Sequence, residues 1–358
     1  MNRTHTLIPV LALGTWLSGA TWPILQSAPG LSWAAGVLVL AVLSAVHHAE
    51  VVAHRTGEPL GTLVLALSVT VIEVALILSM MTDGGANPNS ELARDTLFSA
   101  VMIICNGVIG LCLFVGGLKH REQSFRVEGV GPALSALIAL TTLSLVLPTF
   151  TTSSGVGTYT HSQLLFVACS SASLWLVFTF FQTVRHRDYF LPQDHREDEA
   201  VHARPPSASE TTTSLFALLA CLVAVVGLAK TLSPFIDRAL TGLGAPPAAL
   251  GIVIAMLVLL PETLAALLAA RANRLQTSLN LALGSALASI GLTVPVVAVA
   301  AIVLDLPLTL GLGSKDLVLL VLTFSVCGIS LVHGRTSMMQ GAVHLVVFAS
   351  FAFLALVP

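Results

Sequence analysis

Runs of about 20 apolar residues, each long enough to cross hydrocarbon as a helix, recur along the whole chain with short polar breaks between them. They predict helices at about 7–22, 31–49, 60–82, 96–118, 129–148, 162–184, 213–232, 246–270, 276–304, 316–333 and 337–357. The predicted class is an all-α polytopic membrane protein of about 11 transmembrane helices. The first run has Arg3 ahead of it and Ser18, Gly19 and Ala20 behind it, so a signal peptide is an open alternative there. Cleavage would leave the sidedness of the remainder unchanged.

Composition strengthens the membrane reading. Hydrophobic residues make up 55% of the chain and charged ones 9%, against about a quarter charged in soluble domains. Water could not solvate the outside of such a chain. All five cysteines fall within or at the edge of apolar runs without metal-ligand spacing, and read as small hydrophobes.

The positions of the charges carry more than their near balance. If the chain alternates sides at each predicted helix, only Arg94, Lys230, Arg238 and Lys315 of the 16 Lys and Arg fall on one side. By the positive-inside rule the N-terminus is cytoplasmic and the C-terminus periplasmic. The one long polar stretch, 185–212, holds Asp188, Asp194, Glu197, Asp198, Glu199 and Glu210 with Pro205 and Pro206. It reads as a cytoplasmic linker.

Most acidic residues belong to loops, but two do not. Glu73 lies within LVLALSVTVIEVALILSMM and Glu262 within GIVIAMLVLLPETLAALLAA. An ionised carboxylate at mid-bilayer costs about 2.5–3.5 kcal/mol even by insertion scales, so such residues mark ion or proton pathways. The two segments also match: Gly61 precedes Glu73 by twelve residues and Gly251 precedes Glu262 by eleven. They fall on the third and eighth helices, an odd number of spans apart, and so thread the membrane in opposite senses. That predicts two inverted five-helix repeats, 31–184 and 213–358, plus an extra N-terminal helix within 1–30, with the two glutamates facing one midplane cavity.

Other oxygen donors cluster near the glutamates. Thr70 lies on the face of Glu73. Pro261 has no N–H, which frees the carbonyl of Leu257. The following helices carry Asn106 in one half, and Ser285 and Ser289, four apart, in the other. Carboxylate, amide, hydroxyl and carbonyl oxygens make a hard set suited to calcium or sodium, while Asn280 and the neighbouring glycines read as helix packing.

In HHAEVVAHRTGEPLGTLVLALSVTVIEVALI, FVGGLKHREQSF, LLPETLAAL and LNLALGSALASIGLTVPVV the chain resembles the calcium/cation antiporter superfamily, in its bacterial cation/proton exchanger branch. The resemblance spans nearly the whole chain. It implies exchange of calcium, and in some members sodium or potassium, for protons across the inner membrane, with Glu73 and Glu262 as the ion-binding pair and no resident cofactor. Exchangers of this superfamily often carry Gly-Asn shortly before each motif glutamate. Here those places read Val-Thr-Val-Ile and Leu-Leu-Pro. The missing amides open the preference toward sodium and potassium.

The expected partners are lipid and the transported ions, with no nucleic acid. A passive cation channel would use the same polar residues, but an internal inverted repeat favours alternating access. In HHAEVVAH the spacing of His48, Glu50 and His54 fails the zincin pattern, which disfavours an intramembrane metalloenzyme. His47, Glu50 and His54 read as a polar rim at one helix face. His333, Arg335 and His344 read as interfacial anchors, and Asp305 and Asp316 flank a periplasmic loop and need no special role.

Overall fold

The computed structural model describes residues 3–19, 27–56, 60–83, 90–191, 206–242, 244, 246 and 248–357. Eleven helices follow in chain order: α1 Arg3–Gly19, α2 Ala28–Thr56, α3 Leu60–Asp83, α4 Leu92–His120, α5 Val127–Phe150, α6 His161–Arg185, α7 Ala208–Gly242, α8 Ala248–Arg271, α9 Leu275–Val303, α10 Ser314–Leu331 and α11 Met338–Leu356. Each coincides with a predicted span. Among the described residues nine are long and apolar enough to cross a membrane, and α1 and α3 carry shorter apolar stretches, Leu7–Ser18 and Ser68–Met81. The protein is an all-α polytopic membrane protein.

Caps explain where the boundaries differ from the apolar runs. The amide and hydroxyl of Ser207 donate to the Glu210 carboxylate at 2.9 Å, and the Glu210 amide returns a bond to the Ser207 hydroxyl. This reciprocal cap starts α7 five residues before its apolar run. Thr160 with Gln163 and Ser337 with Gln340 begin α6 and α11 in the same way. Within α4 the hydrogen bonding widens to i→i+5 over Ile103–Val108.

The helices fall into two compact units. The first holds α1, α2, α3 and α7, and the second the other seven. In the first, α7 packs along α2 and α1, with Trp16 lying so close on Gly227 that no Cβ would fit. In the second, α4 packs against α11 and α8, and α9 against α6, α8 and α5. Each unit thus draws on both halves of the sequence. Of the predicted linker, residues 192–205 lie outside the described residues.

Loop contacts within the second unit show how its helices thread. At one end Thr309 donates to the Ser90 carbonyl, and the amides of Leu310 and Gly311 to that of Gly157. These belong to the segments before α4, between α9 and α10, and between α5 and α6. Gly157 has φ +78°, a conformation that favours glycine. At the other end, short strands β1 (Glu122–Ser124) and β2 (Arg335–Ser337) pair antiparallel, with Gln123 opposite Thr336. There Lys119 donates to the Arg271 carbonyl at 2.9 Å and Arg126 to that of Asp188 at 2.6 Å. Loops after odd-numbered helices meet at one end, and loops after even-numbered helices at the other. Successive helices of this unit therefore run in alternating directions.

This arrangement predicts a labelling pattern. Of the five cysteines only Cys169 is exposed, so a Cys169→Ser background serves. An impermeant maleimide added to one face should label Thr152→Cys and Asp305→Cys together. Glu122→Cys and Arg271→Cys should react only from the opposite face, and any mixed pairing would contradict the threading.

Candidate functional site

Glu73 sits at 2% exposure on α3. Its neighbours Ile72, Val74, Leu76 and Ile77 are buried with it, whereas Val71 is about half exposed and marks the outer face. Thr70, one turn earlier, is also buried. The carboxylate therefore belongs to the interior of the first unit. On α2 the inward histidine is His48, which is fully buried along with Ser44. Of the expected rim residues, His47 is half-buried and Glu50 and His54 are exposed.

Glu262 lies in the second unit, half-buried at mid-helix in α8. Pro261 precedes it inside the helix, leaving Leu257 without the usual donor to its carbonyl. The Thr263 hydroxyl turns back to the Leu259 carbonyl at 2.6 Å. Ser278 on α9 donates to the Ala266 carbonyl of α8 at 2.8 Å, tying the two helices together one turn beyond Glu262. Ser289 is buried on α9 and Ser285 half-buried one turn before it. Asn280 donates to the Phe190 carbonyl at 2.6 Å and accepts from Gln276, which makes it a packing clamp.

Asn106 occupies the widened turn of α4, with no exposure at all. Its Nδ2 donates to Thr323 Oγ1 of α10 at 2.8 Å, and its Oδ1 lies 3.3 Å from Nδ1 of His344 on α11. Thr323 in turn donates to the Leu319 carbonyl at 2.8 Å. His344 is thus no interfacial anchor: it is fully buried and bonded across helices. Its closeness to the start of α11 misleads, because Gly110 and Gly341 draw α4 and α11 together. A Cβ on Gly110 would stand 2.8 Å from that of His344, and one on Gly341 would stand 2.6 Å from the Phe114 Cα. His333 and Arg335 are exposed, as expected of anchors.

A further acidic residue leaves the loops. Helix α4 begins at Leu92, ahead of the predicted start, so Asp95 lies in its first turn, at 8% exposure. Arg94 pairs with it at 2.8 Å and with Glu91 at 3.0 Å. Asp316, at the start of the predicted span, lies in the first turn of α10. Gly251, read as a repeat marker, packs against Asp95 with room for no Cβ. An arginine directly before the aspartate is the sequence signal for this pair.

A family model described as sodium/calcium exchanger protein matches residues 27–184 and 213–357. The chain belongs to this exchanger family. It is therefore a transporter and not an enzyme. Among the described residues no group of three or more His, Cys, Asp and Glu is arranged to hold a metal ion.

Relatives of this exchanger-family chain include a putative ionic transporter, y4hA, of Sinorhizobium fredii, 49% identical over 92% of this chain and 89% of its own. The sodium-potassium/proton antiporter ChaA of Escherichia coli is 38% identical over 98% and 95%. The solved structure of native YfkE superposes with a TM-score of 0.73 at 18% identity, covering 99% of this chain and all of that one. Another structure of YfkE is described as that of a Ca2+/H+ antiporter. At that identity the likeness is one of fold.

Removing one partner of a buried ion pair strands the other charge. Arg94→Met should lower stability by about 3 kcal/mol, measured by unfolding in detergent. Adding Asp95→Asn should restore most of it.

Proposed function

We propose that this chain is a cation/proton antiporter of the bacterial inner membrane, with its N-terminus cytoplasmic and its C-terminus periplasmic. The observation that carries this reading is the 38% identity, over nearly the full length of both chains, with an antiporter that exchanges sodium and potassium for protons. Two inverted repeats, 31–184 and 213–358, supply inward- and outward-open states of similar energy.

In this reading Glu73 and Glu262 hold either the transported cation or protons. Thr70, Asn106, Ser285, Ser289 and the Leu257 carbonyl supply neutral oxygens. Supporting this are the burial of Glu73 on an otherwise apolar helix and the position of Glu262 beside a helix-interrupting proline. A bare carboxylate is costly away from water, so the empty, charged carrier does not cross between states. Only the cation-loaded and proton-loaded forms do. That restriction makes the cycle an exchange and not a leak.

Calcium, sodium and potassium are all substrates in this reading. A divalent ion can neutralise two carboxylates at once. The absence of side-chain amides directly before either glutamate leaves a carboxylate, hydroxyl and carbonyl set that also accepts monovalent ions.

Everted vesicles test the exchange. Cation-induced proton release should fall at least tenfold in Glu73→Gln and in Glu262→Gln. Normal exchange in either variant would remove the proposed role of that residue. Adding calcium, sodium and potassium separately to wild-type vesicles should release protons each time. A response to calcium alone would narrow the substrate to that ion.

A further inference from the structure

The hydrogen-bond chain through Asn106 joins three helices of the second unit and is closed to solvent along its length. Asn106, Thr323 and His344 have no exposure, and the Nε2 of His344 is buried without a hydrogen-bond partner among the described residues. The chain also has a direction. Thr323 gives its hydroxyl proton to the Leu319 carbonyl or to the Met102 sulfur, 3.3 Å away, so its oxygen receives the Asn106 amide. The Asn106 oxygen is thereby turned to His344, whose Nδ1 must carry the proton for the 3.3 Å contact to be a hydrogen bond. The Met102 sulfur, 3.9 Å from Nδ2, also faces the amide nitrogen. Both ends of the amide are held, and a carbonyl oxygen with two lone pairs has given up one.

We propose that Thr323 and His344 are positioning residues: they hold the Asn106 amide in a single orientation so that its oxygen keeps one lone pair for the transported cation. This rests on the reading of Asn106 as an ion ligand in cation/proton exchange. The widened turn of α4 fits the role. Wide turns of this kind occur often at functional sites, and here one carries the amide inward between two neighbouring helices. Orientation matters to a cation, because an inverted amide would present two N–H donors.

The test is a set of KM and maximal-rate measurements for cation-driven proton release from vesicles. His344→Leu and Thr323→Val should each raise the apparent KM for the cation roughly three- to tenfold, the range expected from one net hydrogen bond. The maximal rate should stay within about twofold. His344→Asn, which keeps a donor where Nδ1 stands, and Thr323→Ser, which keeps the hydroxyl, should restore the wild-type KM. They also keep the test open if the bulkier replacements fold poorly. In an Asn106→Ala background, which itself raises KM, neither His344→Leu nor Thr323→Val should add a further increase, because their effect passes through the amide.

Two results would overturn the proposal. One is a lowered unfolding temperature with unchanged KM, the behaviour of a purely structural tie. The other is KM increases that multiply with that of Asn106→Ala. All these chains retain Glu73 and Glu262. A failure here therefore stays distinct from normal exchange in the glutamate variants, which would overturn the underlying reading instead.

Discussion

Hydrocarbon offers no hydrogen bonds, so every polar group placed within the spans must find its partner inside the protein. Several helical Ser and Thr residues meet this demand locally, while the hydroxyls of Thr141, Ser144 and Ser171 are buried without a hydrogen-bond partner among the described residues. Thr96, Thr263, Ser325 and Ser350 each return a hydroxyl to the carbonyl four residues back. Amides cannot satisfy both ends in this way, and Asn106 and Asn280 reach to other elements. A carboxylate is harder still, because a helix has no spare donors in mid-span. Asp95 solves the problem with Arg94, in the first turn of its helix. Glu73 and Glu262 sit far from any helix end, where no such neighbouring arginine is found in the sequence. In the proposed exchange, the same constraint that makes them expensive makes them responsive to a proton or a cation.

The spans were legible because their signal is length and apolarity, which membranes impose directly. Agreement came within a few residues at most ends and failed where the Ser207 cap starts α7 ahead of its apolar run, where α7 runs on to Gly242, and where α4 begins at Leu92 without a capping side chain. The alternation of sides was legible too, through the uneven distribution of Lys and Arg, and loop contacts in the second unit show helices running in the alternating sense. What sequence could not reveal was which polar residues face inward. His47 and His48 are adjacent, yet only His48 is fully buried, a matter of one helical step. His344 looked like a rim residue by its distance from the helix start. Its burial comes from two glycines on two helices that permit a close approach. Such cross-helix coincidences have no periodic trace.

Division by compactness cuts across division by repeat. Helices α2 and α7, the first of each proposed repeat, pack along each other in one unit, together with α1 and α3. The remaining four helices of the second repeat join α4, α5 and α6 in the other. An interleaved chain of this kind cannot be split at its linker into two independently packed halves. The stretch 185–212 carries the chain from the second compact unit to the first, where α7 belongs.

Ion preference turns on a narrower point than the presence of two glutamates. A carboxylate attracts any cation, and neutral oxygens decide which one fits by number, spacing and rigidity. Where an amide is clamped at both ends, as Asn106 is, its oxygen cannot retreat to suit a larger ion or advance to suit a smaller one. Where hydroxyls merely back-bond to their own helix, as Thr263 does, they can swing by a rotamer at modest cost. The proposed site, with one rigid amide and several adjustable hydroxyls, would discriminate weakly between ions of similar radius. Calcium and sodium are such a pair, so the proposed site would accept either.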